Sequence, residues 1–144
     1  MIQRCSMAIA QVIKEINASA QAVWAELSPF DTIQPGGAIE SVVYEGSGIG
    51  MIRRIGMGGG VIIERLDEHD AKALTFAYCI MNDDSPLPFA NYKARVRIMA
   101  TSDDTCTVEW TGEFNPRGDE DEAIRTATGI YAGGIKRAKQ ALGV

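Results

Sequence analysis

From Ser6 to Ile16 apolar and polar residues partly alternate, as in a half-buried strand. Asn17 or Ser19 then offers a helix N-cap, and Ala20-Gln-Ala-Val-Trp-Ala-Glu-Leu27 is built of helix formers with Val23, Trp24 and Leu27 on one side. Pro29 fits the first turn of a second short helix reaching Ile33, which Pro35-Gly36-Gly37 ends. Between Ile39 and Phe114 the period changes to two, with turn residues at regular intervals, the signature of an antiparallel meander. The expected strands are 39–45, 49–56, 61–67, 73–81, 89–100 and 105–114. Gly46-Ser47-Gly48, Met57-Gly58-Gly59-Gly60, Glu68-His69-Asp70, Asn82 to Pro88 and Ser102-Asp103-Asp104 separate them.

The clearest alternation sets Tyr92, Ala94, Val96 and Ile98 against Lys93, Arg95 and Arg97, so the sheet has a covered face and a wet one. After Pro116-Arg117-Gly118, an acidic run from Asp119 to Glu122 and the cations Lys136, Arg137 and Lys139 follow the polarity of a helix dipole. A helix from Asp119 to Leu142 is about 36 Å long, enough to cross a curved sheet. Its recurring positions Ala123, Ala127, Ile130, Tyr131, Gly134 and Ala138 are mostly small. Such a stripe either draws the layers together or leaves volume between them. Polar groups on the covered face favour the open volume, since a dry core has no use for them.

At 144 residues the chain suits one domain, 1–144, and at this size folding buries roughly 68–70% of the unfolded chain's surface without needing disulfides or a metal. A net charge of −5 argues against nucleic acid or an anionic membrane as partner. Cys5, Cys79 and Cys106 lie far apart in apolar stretches and read as reduced residues. His69 is the one histidine, so no spacing suggests a zinc site, and no cofactor is expected. The first sixteen residues, with Arg4 near their start, are interrupted by Gln11, Lys14 and Glu15. They read as neither signal peptide nor membrane span, and a cytoplasmic location is expected.

Several strings carry a resemblance. Ala20 to Leu27 through Phe30-Asp31, Gly50-Met-Ile-Arg53-Arg54, Glu64-Arg65-Leu66-Asp67 with Asp70, Asn91-Tyr92-Lys93, and Val108-Glu109-Trp110 before Pro116 are similar to the polyketide cyclase/dehydrase group of the START-like, birch-pollen-allergen superfamily (SRPBCC). They resemble its plant abscisic-acid receptor branch in particular. The resemblance covers nearly the whole chain and implies an α+β helix-grip fold. In that fold a curved antiparallel sheet of about seven strands, in the order β-α-α-β6-α, wraps a long C-terminal helix and encloses a cavity for hydrophobic or amphipathic molecules. By the same resemblance Glu64, Tyr92, Arg53 and Glu109 line the cavity. Two features depart from the receptor branch: the lysine that clamps the hormone's carboxylate falls near Ile39, and the gate loop is replaced by the shorter Met57-Gly58-Gly59-Gly60.

The residues themselves point the same way for most of these positions. Glu64 shares parity with Ile62 and Leu66 and so faces inward, where a carboxylate must be paired, hydrogen-bonded or protonated. Arg53, on the parity of Ile55, is its expected partner. The pair reads either as a ligand contact, with Glu64 as a general acid or base, or as a structural ion pair. Tyr92 and Tyr78 lie on inward parity, Tyr78 with Leu74, Phe76 and Ile80, and suit either a binding cavity or a core. For Glu109 two arguments disagree: alternation with Val108, Trp110 and Phe114 places it outside, the resemblance inside. Ile130 and Gly134 supply the helix side of the cavity. The Gly58-Gly59-Gly60 run precedes a strand and lacks a following Lys-Ser/Thr, so it reads as a hairpin at the cavity mouth, with Asn82 to Pro88 as partner loop. His69 is expected in an exposed turn, and Trp24 between the short helices and the sheet.

Two functions fit. One is binding of a small hydrophobic or amphipathic molecule in the cavity. The other is a cofactor-independent cyclase, dehydratase or isomerase acting on a polyketide-like or aromatic substrate, with Glu64 moving a proton and Tyr92 bonding a carbonyl or enolate. Loops at the mouth offer a surface for a protein partner, and exposed strand edges leave room for a homodimer.

Overall fold

The computed structural model describes residues 7–144. Cys5, Arg4 and the start of the first expected strand lie outside them. Seven strands and two helices follow in the order β1 (Ala8–Ile16), α1 (Ala20–Leu27), β2 (Ile39–Glu45), β3 (Ile52–Met57), β4 (Gly60–Asp70), β5 (Thr75–Ile80), β6 (Phe89–Ala100), β7 (Cys106–Pro116) and α2 (Glu120–Leu142). All strands join one antiparallel sheet with spatial order β1-β7-β6-β5-β4-β3-β2. This is the helix-grip arrangement. No helix among the described residues is long and apolar enough to cross a membrane.

The helix ends follow local chemistry. Ser19 caps α1 by accepting from the Ala22 amide, and Asp119 caps α2 by accepting from the Glu122 amide at 2.9 Å. Three acidic residues fill the first turn of α2, and Gly143, at φ 73°, closes it in the left-handed conformation. The expected second short helix after Pro29 does not form. Five residues between Pro29 and Pro35 are too few to repay helix nucleation, and Pro35 biases Gln34 away from helical angles.

Strand ends differ where turn chemistry intervenes. β3 starts at Ile52 rather than 49, because Gly48 and Gly50 take positive φ. β4 runs on through Glu68-His69-Asp70, expected as a turn, by absorbing a bulge between Leu66 and Glu68. The turn comes later: the Asp70 carboxylate accepts from the Lys72 and Ala73 amides, and β5 begins at Thr75 instead of 73.

On the covered face the core holds Phe76, Tyr78, Phe89, Tyr92, Val96, Val108 and Phe114. Trp24 docks α1 onto it, 6.1 Å from the Phe76 ring and 5.0 Å from His69, whose ring is exposed. Cys106 is a buried free thiol and Cys79 a half-buried one. On the wet face Lys93 pairs with Glu113 and Arg95 with Glu68. Buried along α2 are Ala123, Ala127, Tyr131, Ile135 and Ala138, a stripe that seats the helix on β1 and β7. Ile130 and Gly134, placed on that stripe by spacing, sit on its flank, and Ile130 is 43% exposed. That flank faces β3, β4 and β5 across open space.

Candidate functional site

The space is a cavity of about 320 Å³. Ile55, Ile62 and Phe76 of the sheet, Phe30 and Ile33 after α1, and Ile130 and Gly134 of α2 contribute to its apolar wall. Its floor is polar. Arg53 and Glu64 stand opposite each other in the β3/β4 register, and Arg53 Nε donates to Glu64 Oε1 at 2.6 Å. Both side chains are close to nine-tenths buried. A second guanidinium nitrogen, Nη1, donates to the Phe30 carbonyl at 3.2 Å, and the guanidinium carbon lies 3.8 Å from the Phe30 ring centroid. The charge is thus held by a carboxylate, a carbonyl and an aromatic face together.

Behind the cavity runs a chain of aromatic hydroxyls. Trp110 Nε1 donates to Tyr78 Oη at 3.2 Å, the Tyr78 and Tyr92 hydroxyls are 3.5 Å apart, and those of Tyr92 and Tyr131 are 2.5 Å apart. The Trp110 and Tyr131 rings stack with centroids 5.1 Å apart. Burial, reinforced by the Glu64 carboxylate, pushes the Tyr78 phenol up to about 12. Tyr92 and Tyr131 are also raised, chiefly by burial and then by the neighbouring phenols.

Two glycines make this packing possible. A Cβ at Gly134 sits 2.9 and 3.0 Å from Trp110 ring carbons, and one at Gly112 collides with the Tyr131 hydroxyl. At the mouth, Gly58 and Gly59, at φ 59° and 76°, make the tight turn joining β3 to β4, and Pro86 of the facing loop packs over Gly60. Asn82 ties that loop down by accepting from the Ile63 amide and donating to the Val61 carbonyl. Met57, at the end of β3, and Leu87 of the facing loop reach the cavity wall.

The expected site residues divide accordingly. Arg53, Ile55, Ile62, Glu64, Tyr78, Ile130 and Gly134 are gathered on the wall. Tyr92 shares their face but lies deeper, its hydroxyl engaged by two other tyrosines. Ala94 is core, between Tyr78 and Gly112 in the register, and Ile80 packs beside the core across from Glu64. Glu109 is on the outer face. β7 pairs with β1 without a bulge from Cys106 to Phe114, so alternation holds and Glu109 lies opposite Ile13 and Arg97. It borders a shallow outer depression of about 540 Å³, lined by the charged side chains Lys93, Arg95, Glu68 and Glu113. That depression lies on the wet face, among the side chains that form the Lys93–Glu113 and Arg95–Glu68 pairs. Phe30 and Trp110 were not expected on the cavity wall. Trp110's inward parity was legible in the sequence, whereas Phe30 carries no periodic signal.

The family model described as "Polyketide cyclase / dehydrase and lipid transport" matches residues 7–143. The structure of the protein XoxI from Bacillus cereus is 32% identical, with a TM-score of 0.79 over 93% of this chain and 94% of that one. An uncharacterised Bacillus thuringiensis protein is 31% identical, with a TM-score of 0.78 over 93% and 98%. Norcoclaurine synthase from Thalictrum flavum, solved with dopamine and hydroxybenzaldehyde, shares the fold at 18% identity, with a TM-score of 0.73 over 95% and 87%. No curated protein matches the sequence.

Proposed function

The chain belongs to the polyketide cyclase/dehydrase and lipid-transport family, and from that premise we propose that it binds a small amphipathic molecule in the cavity between sheet and α2. The apolar body lies along Phe30, Ile55, Ile62 and Ile130, and the polar end meets Arg53 and Glu64. One observation carries this reading: an apolar space of ligand size converges on a single, nearly buried ion pair. A buried ion pair is a weak source of stability, since apolar residues of similar volume often replace one without loss. A nuclear magnetic resonance screen with ring-bearing amphipathic probes tests it. Binding is expected to move the Trp110 indole and Ile130 methyl resonances. Perturbations confined to the outer face, or none, refute it.

A second reading, a cofactor-independent cyclase, dehydratase or isomerase, draws on the Glu64 carboxylate at the same cavity. In it Tyr78, not the deeper Tyr92, is the hydroxyl within reach of a substrate. Glu64→Gln then abolishes turnover while leaving binding measurable, and unchanged turnover removes the reading.

A further inference from the structure

Two polar atoms of residues on the cavity wall have no hydrogen-bond partner among the described residues. Glu64 accepts from Arg53 through Oε1, and Arg53 spends Nε on Glu64 and Nη1 on the Phe30 carbonyl. Among the described residues nothing bonds Glu64 Oε2 or Arg53 Nη2, yet no buried side-chain polar atom is left unpartnered. Neither atom is therefore fully sealed from solvent. Since both residues line the cavity, it offers an acceptor and a donor from one ion pair.

A proton count along the hydroxyl chain adds a third group. Four donor hydrogens, from Trp110, Tyr78, Tyr92 and Tyr131, serve three contacts. Tyr131 is fully buried with Tyr92 as its one partner among the described residues, so its hydrogen goes to Tyr92. Tyr92 then turns its own toward Tyr78. The Tyr78 oxygen already accepts from Trp110, and its hydrogen has no place in the network. Of the three tyrosines, Tyr78 is the one on the cavity wall.

The charges set a further condition. Arg53 and Glu64 sum to zero. The other charged groups on the wall, Glu26 and Arg137, are exposed at the rim and opposite in sign. A carboxylate head entering the cavity meets Glu64, and an ammonium head meets Arg53, each losing water beside a like charge whose counter-ion is already engaged.

We propose that the cavity selects an uncharged head group in which an oxygen acceptor adjoins an N–H or O–H donor, as in a primary amide, over carboxylates and amines of the same body. The acceptor takes hydrogens from Tyr78 and Arg53 Nη2, and the donor serves Glu64 Oε2. This rests on the cavity-binding reading above, and the test separates the two.

Four probes share one body: 4-phenylbutanamide, 4-phenylbutanoate, 4-phenylbutylamine and butylbenzene. Titrated at pH 7 and followed at the Trp110 indole resonance, the amide is expected to bind the wild-type protein at least tenfold tighter than each of the other three. Glu64→Gln leaves Arg53 uncompensated, so the order inverts in favour of the carboxylate. Arg53→Gln leaves Glu64 uncompensated and inverts it in favour of the amine. If one variant does not fold, the other and the wild-type order still decide. A wild-type protein that holds the carboxylate, the amine or butylbenzene as tightly as the amide overturns the proposal and leaves cavity binding standing. If none of the four moves the indole resonance, cavity binding fails and the proposal falls with it.

Discussion

Replacing Gly112 by alanine puts a methyl group where the Tyr131 hydroxyl now lies, with the phenol Cζ 3.1 Å from the new carbon. Tyr131 has no exposure and is held between the Trp110 ring and the Tyr92 hydroxyl, so it cannot swing aside. Overpacking a rigid core costs about 1–3 kcal/mol and occasionally more. Here the displaced group also gives up a buried hydrogen bond, worth about 1–3 kcal/mol once its partner is left short of one. Gly112→Ala is therefore expected to cost about 3 kcal/mol or more. Tyr131→Phe removes the hydroxyl alone and is expected to cost about 1–2 kcal/mol. The informative species is the double variant. With the hydroxyl already gone, much of the room the methyl needs is free, so the two costs do not add. The coupling is expected to be relieving by about 1–2 kcal/mol. Urea unfolding of the four proteins, with equal m-values as the check on two-state behaviour, measures it. Additivity within about 0.5 kcal/mol refutes the argument that Gly112 exists to admit the Tyr131 hydroxyl.

Gly133 and Gly134 give a paired comparison on one helix: alanine at Gly133 meets open space and is expected to stabilise by about 0.5–1 kcal/mol, whereas at Gly134 the same helix gain is offset by about 1–3 kcal/mol of pressure on Trp110. Equal unfolding midpoints for Gly133→Ala and Gly134→Ala contradict this. Stability is also expected to fall in alkali, because a phenol raised by folding stays protonated in the native state after the unfolded chain has lost its proton. For Tyr78, raised to about 12, that contribution is complete below pH 10 and lost between pH 10 and 12, amounting to about 1.4 kcal/mol at pH 11. Urea midpoints at pH 9 and 11 for the wild-type protein and Tyr78→Phe measure it, and identical declines in the two proteins count against it.

Alternation was sufficient to place Arg53, Glu64 and Tyr78 on the covered face, and to place Glu109 off it where the family resemblance pointed inward. A period of two reports the face of a strand and is indifferent to what the strand belongs to. Helix limits were equally local, since the cap at Asp119 and the left-handed Gly143 depend on a few neighbouring residues. Strand ends at Ile52, Asp70 and Thr75 escaped the pattern, because left-handed glycines, a bulge and an Asx turn shift the strand limits without breaking the alternation.

By itself, then, the sequence determined the order of the elements, the sidedness of the sheet and the small-residue character of α2. The tertiary structure decided depth: why Tyr78 faces the cavity while Tyr92, on the same side, lies behind it, and why Ile130 borders open space instead of the core. Depth depends on which elements fail to touch. α2 settles on β1 and β7 at one edge of the sheet and leaves β3 to β5 uncovered, a distribution of long-range contacts that no local periodicity encodes.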